Sequence, residues 1–150
     1  NWKGVIERVL SGPSKLSDAP QRYVCVSARQ MVGILLLIYV KEELQDEIRD
    51  VTTMDVGTGF LNYGGNKGAV AARFTIRNVD ISCVSSHLAA HEKNVDRRNQ
   101  DFHEVIRRAK FHLPADSDGA DAKQSMDTFE QQATLPEGRS LSIIDHDVVF

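Results

Sequence analysis

No apolar run in the 150 residues is long enough to cross a bilayer. The longest, residues 31–40, carries Gly33 and Tyr39 and falls far short of the roughly 20 residues that a membrane helix needs. Cysteine is scarce: Cys25 and Cys83 are the whole complement, both inside apolar runs and without CxxC-type spacing. They read as two small buried hydrophobes in a reducing compartment, not as metal ligands. A basic excess is missing too. The net charge of −3 supplies no global field to hold a nucleic-acid backbone, so no nucleic-acid partner is expected. At Asn1 there is no initiator Met, basic n-region or cleavable signal, and the chain is expected to begin and end inside a longer one. The 41% hydrophobic and 26% charged composition is that of a soluble globular domain with enough apolar surface for a core.

Periodicity divides the chain. Trp2, Val5, Ile6, Val9 and Leu10 fall on one helical face before Gly12-Pro13 stops it, predicting a short covering helix. Residues 23–26 and 32–40 are β-branched and aliphatic with little interruption, the pattern of central strands covered on both faces. Residues 41–49 predict a short surface helix or turn, and 51–56 a further strand. Runs at 69–76 and 79–86, parted by Arg77-Asn78, predict a hairpin whose second strand delivers His87 to its end. Between 92 and 111, Val95, Phe102, Val105, Ile106 and Ala109 mark a helix whose arginines lie mostly outside the apolar stripe. Residues 114–142, rich in Asp, Ser, Gly and Gln, read as a variable surface loop, and 143–150 as a renewed strand.

Three stretches carry polar chemistry. The glycine-rich segment 57–68 matches neither GxGxxG, since Asn62 stands at the last glycine, nor a P-loop, since GK[ST] is missing. A plain tight loop and an anion cradle are equally open from its residues: glycine lets backbone N–H groups approach an anion, and Lys67 adds a point charge. In SSHLAAH, His87 and His91 stand four apart, but Leu88 replaces the glutamate of a zinc helix and a strand precedes. His87, polar and at a strand's C-terminal end, is the sharper site candidate, with His91 structural. Arg97-Arg98-Asn99 is either a solvated helix face or an anion partner and loop scaffold. Asp145-His146-Asp147 reads as structural, not as a catalytic dyad.

In order and separation, GNKGAVAARF (65–74), SSHLAAH (85–91) and VDRRNQDF (95–102) resemble inositol polyphosphate 5-phosphatases. MVGILLLIYVKEEL and DHDVVF match as well, and the details resemble type II members related to the Lowe-syndrome phosphatase. The resemblance covers nearly the whole chain except 114–142. It identifies the chain as the central part of one such catalytic domain, truncated at both ends. The implied architecture is α/β: part of the DNase-I-like four-layer α-β-β-α sandwich of the endonuclease/exonuclease/phosphatase superfamily.

The implied activity is Mg²⁺-dependent hydrolysis of the 5-phosphate from phosphoinositide lipids such as phosphatidylinositol 4,5-bisphosphate, or from soluble inositol polyphosphates, at cytosolic membrane faces. His87 resembles the histidine that contacts the scissile phosphate. Lys67, with Asn66 beside it, resembles the lysine that meets the 1-phosphate of the headgroup. Arg97, Arg98 and Asn99 match the RRN expected to support His87 and His91. Phe60, Leu61 and Tyr63 either touch lipid from an exposed loop or fold back on themselves. The upstream metal-binding Glu, the GDLNYR motif and the late Asp-His pair of the family have no counterpart here. No metal ligand is therefore expected among these residues, and the isolated chain is expected to be inactive. The alternative is a phosphoinositide-binding pseudo-phosphatase or scaffold.

Overall fold

A computed structural model describes residues 2–10, 12, 22–59, 66–113 and 139–150. The elements in chain order are helix α1 (Trp2–Leu10), strands β1 (Tyr23–Met31) and β2 (Ile34–Lys41), a 3-10 helix (Glu42–Glu47), β3 (Ile48–Gly57), β4 (Gly68–Ile76), β5 (Val79–His87), α2 (Val95–Arg108), β6 (Lys110–His112), β7 (Ser140–Ser142) and β8 (Val148–Val149). The largest sheet has the order β3-β4-β5-β8, antiparallel except for the β5–β8 pair.

β4 is the hub of the core because small residues let both its faces be covered. Ala69, Val70, Ala71, Ala72 and Phe74 are all buried. Alternate residues point to opposite faces of a strand. Ala69 and Ala71 accordingly join Val56, Val105, Ala109, Phe111 and Ile143 in one cluster on the α2 side. Val70, on the other face, stands opposite Asp55 of β3, and Asp55 is ion-paired to Arg29 of β1. The β1–β2 hairpin therefore packs on that second face, where Ile34 is 3% exposed.

The outer face of the hairpin carries Ala28, Gln30, Leu35 and Leu37, which with Trp2 and Ile6 of α1 line a groove. The layers thus run α2, four-stranded sheet, hairpin, α1, as the resemblance implies.

Five expectations need correction. β1 and β2 are not central strands of the large sheet; they form their own two-stranded sheet, with a bulge between Cys25 and Ser27. Their aliphatic run marks burial against the large sheet on one side only. On the other side α1 buries none of its residues, and Trp2 and Val9 are each 73% exposed, so it flanks the hairpin without covering it. In α2 the buried stripe is Asp101 and Val105, continued by Ala109, while Val95 and Phe102 are exposed. The helix ends at Arg108, and Lys110–His112 pairs as a strand with Ser140–Ser142, inside the segment read as loop. Finally, residues 143–147 are turn and bend, leaving Val148–Val149 as the strand. Residues 114–138 lie outside the described residues.

Candidate functional site

The ends of three strands define one rim of the sheet. Gly57 at the end of β3, Gly68 at the start of β4 and His87 at the end of β5 are neighbours in register. The segment between β3 and β4 and the segment after β5 therefore leave the sheet side by side. Gly68 is required there: its φ is 142°, and a Cβ would stand 1.9 Å from the Val56 carbonyl oxygen.

Lys67 and His87 meet across this rim, Lys67 Nζ lying 2.6 Å from His87 Nε2. An ammonium has only donors, so the imidazole must accept at Nε2, which puts the proton of a neutral ring on Nδ1. Next to the pair is a cavity of about 660 Å³ whose lining includes Thr58, Asn66, Lys67, His91, Arg97 and Asp101. Lys67 lines this cavity, and His87 reaches it through its contact with Lys67; an ammonium beside an imidazole is a combination suited to an anion with several acceptor oxygens.

The arginines of α2 hold the walls. Arg97 Nη2 donates to the Thr58 carbonyl at 2.7 Å, and Arg108 Nη1 to the Gly57 carbonyl at 2.9 Å. Arg98 Nη1 donates to the His91 carbonyl at 2.5 Å, and its Nη2 to the Glu92 carbonyl at 3.2 Å. His91 takes a left-handed conformation, φ 74°, which turns the chain from the strand end into α2. Asn99 is exposed and, among the described residues, forms no side-chain hydrogen bond. Phe60, Leu61 and Tyr63 lie outside the described residues.

Two polar groups were missed by the motif reading. Asp101 is 1% exposed, and its Oδ2 accepts the Ala89 N–H at 2.9 Å. Its signal is an acid at position i of an i, i+4, i+8 series with Val105 and Ala109. The other is Arg108, one of the arginines expected to lie mostly outside the apolar stripe, whose guanidinium reaches back to the Gly57 carbonyl of the sheet.

The Asp145-His146-Asp147 segment is elsewhere. Asp147 accepts the Asp80 N–H at 2.9 Å, so it sits at the start of β5. Seven residues of strand, about 23 Å, separate that end from His87. There Arg73 donates to Asp80 at 2.8 Å and to His146 Nε2 at 3.2 Å, and His146 packs edge-on against Phe111. The Thr75 hydroxyl and then the Arg73 guanidinium hold the Asp80 carboxyl below its ordinary range, against desolvation. Burial raises the Cys83 thiol, which keeps it protonated and a poor nucleophile.

Among the described residues no three His, Cys, Asp or Glu side chains gather as a metal ion would require. The described residues therefore offer no group of three such side chains to a divalent ion.

A family model described as endonuclease/exonuclease/phosphatase family 2 matches residues 1–150. The chain is 46% identical over 90 residues to a type II inositol 1,4,5-trisphosphate 5-phosphatase of Mus musculus, which covers 60% of this chain and 9% of that protein. Human synaptojanin-1 is 34% identical over 112 residues, 75% of this chain and 7% of that protein. A solved structure, the inositol polyphosphate 5-phosphatase domain of SPsynaptojanin in complex with inositol (1,4)-bisphosphate and calcium ion, superposes with a TM-score of 0.63 at 33% identity. The superposition covers 73% of this chain and 31% of that domain chain.

Proposed function

Because the chain belongs to the endonuclease/exonuclease/phosphatase family 2 and has its DNase-I-like fold, we propose that the cleft holds a phosphorylated inositol headgroup and serves hydrolysis of the 5-phosphate. The substrates are phosphoinositide lipids such as phosphatidylinositol 4,5-bisphosphate, or soluble inositol polyphosphates. The observation that carries this reading is the Lys67–His87 contact at the sheet rim, beside a cavity braced by three arginines. Relatives that act on inositol polyphosphates, and a related domain bound to inositol bisphosphate, support it.

In this proposal Lys67 meets the 1-phosphate as a point charge, with Asn66 beside it, and His87 faces the phosphate to be removed. Phosphoryl transfer depends mainly on positioning and on donors aimed at the phosphate oxygens, which these side chains supply. Arg97, Arg98 and Arg108 act through the carbonyls they hold. Hydrolysis of this kind calls on a divalent cation, proposed to be Mg²⁺, for charge neutralisation at the phosphate; none of the roles above passes through it. Lipid headgroups place the protein peripherally at cytosolic membrane faces, where Phe60, Leu61 and Tyr63 are proposed to touch the bilayer.

The absence of a three-ligand group among the described residues favours one second reading, a headgroup binder without chemistry. Vesicle co-sedimentation tests binding. The chain should pellet with phosphatidylinositol 4,5-bisphosphate vesicles and not with phosphatidylcholine, and Lys67→Ala should weaken that binding about tenfold, the scale of one charge-assisted hydrogen bond. Equal pelleting with both lipids would contradict the reading. Phosphate release by the full-length protein carrying this sequence then decides between enzyme and binder. An enzyme should lose at least about a hundredfold in turnover with His87→Ala; release unaffected by that change would remove His87 from the chemistry.

A further inference from the structure

Asp101 is a carboxylate buried to 1% exposure within α2, a position where an ionised group is costly unless it is bonded on every side. Its two oxygens face different partners. Oδ2 accepts the N–H of Ala89, two residues after His87, at 2.9 Å. Oδ1 faces Arg97 Nε at 3.1 Å as an ion pair, without the alignment of a hydrogen bond. Arg97 in turn donates from Nη2 to the Thr58 carbonyl at 2.7 Å, and the Thr58 N–H donates to the Lys67 carbonyl at 2.9 Å. Those four contacts run without a gap from the segment that carries His87 to the backbone of Lys67. They cross the floor of the cavity, which both Asp101 and Arg97 line.

We infer that Asp101 is a positioning residue that fixes the separation of Lys67 and His87 by tying both sides of the rim to one carboxylate. The inference rests on the headgroup reading for its functional consequence, but the relay itself does not. Arg98 and Arg108 each hold one wall, whereas Asp101 joins the two, because each oxygen serves a different side. Arg97 is half-exposed, so the ion pair would be weak by itself; the full burial of Asp101 and the second bond to Thr58 are what let it transmit position.

Amide hydrogen exchange measured by NMR on the whole 150-residue chain tests it. Asp101→Asn keeps an oxygen for Ala89 but removes the charge that holds Arg97. Thr58, which Asp101 does not touch, should exchange about tenfold faster, while Ala72 in the middle of β4 stays protected. Arg97→Gln, a change at a half-exposed side chain, should loosen Thr58 to the same degree and carries the test if Asp101→Asn fails to fold. The double variant should add little, since a shared relay is non-additive whereas two separate packing losses would sum. Inorganic phosphate should bind both single variants several-fold more weakly than the parent chain. Unchanged Thr58 exchange, additive losses, or undiminished phosphate affinity with a loosened Thr58 would each overturn the proposal. Loosened Thr58 in a parent chain that never binds phosphate would leave the relay standing and remove the headgroup reading.

Discussion

At the scale of single residues, the polar groups separate into two networks at opposite ends of β5. One surrounds His87, where we propose that a headgroup binds; the other joins Arg73 to groups of the fold itself. Arg73 is 3% exposed, yet Asp80, Thr75, His146 and the Asp50 carbonyl all meet its guanidinium. Because folding lowers the Asp80 carboxyl, its contribution to stability is present above the unfolded value and is lost as pH falls through the folded one. Asp80→Asn should therefore lower the melting temperature at neutral pH, and the gap to the parent should close as pH is taken below the ordinary aspartate range. A gap that stays constant on acidification would show that Asp80 contributes only by shape. Phe111, fully buried and edge-on to His146, is the largest side chain in the core cluster. Phe111→Ala should cost about 3–5 kcal/mol in denaturant unfolding.

At the scale of elements, what was legible in the sequence followed from local pattern. Arg77-Asn78 between two strand-like runs specified the β4–β5 hairpin, where both turn residues have positive φ. The glycines around Lys67 announced a shaped segment, and Gly68 shows the reason in the carbonyl that a Cβ would strike. Gly68→Ala should accordingly lose several degrees of melting temperature and disturb the amide resonances of Gly57 and His87, its register partners; resonances that hardly move would mean the rim is not set by this close approach. Less legible was anything decided by partners distant in sequence. A three-residue strand such as Lys110–His112 has too little pattern to be separated from the end of a helix. Its partner, Ser140–Ser142, sits in a polar stretch where only the pairing reveals it. The α2 stripe was misplaced for a related reason: Phe102 looks like core by type, but the register that buries Val105 and Ala109 brings Asp101 inward instead.

At the scale of the whole molecule, four layers organise the chain, and the layer at each edge differs in how well it is packed. α2 closes one face through Val105 and Ala109, whereas α1 leaves Trp2, Val5 and Val9 exposed over the hairpin. The chain spans 7% of one curated relative and 9% of another, and 31% of the superposed domain, so the catalytic proposal concerns the protein in which this sequence acts. We propose that the 150-residue chain by itself, which carries no counterpart of the GDLNYR motif or of the late Asp-His pair that its resemblance calls for, binds headgroup without releasing phosphate in the presence of Mg²⁺. Release detected by a phosphate-sensing assay would contradict that. GNKG and SSHLAAH were legible as separate motifs; the meeting of Lys67 and His87 at one rim, and the carboxylate beneath them, depended on strand register. The claim that this meeting forms a headgroup site is tested most directly by titrating inositol 1,4-bisphosphate into the labelled chain and following the amide and side-chain resonances of Asn66, Lys67, His87 and Ala89. The account predicts saturable shifts at these residues, absent with unphosphorylated inositol and weakened in Lys67→Ala; saturable shifts confined to the groove between α1 and the hairpin, or none at all, would contradict it.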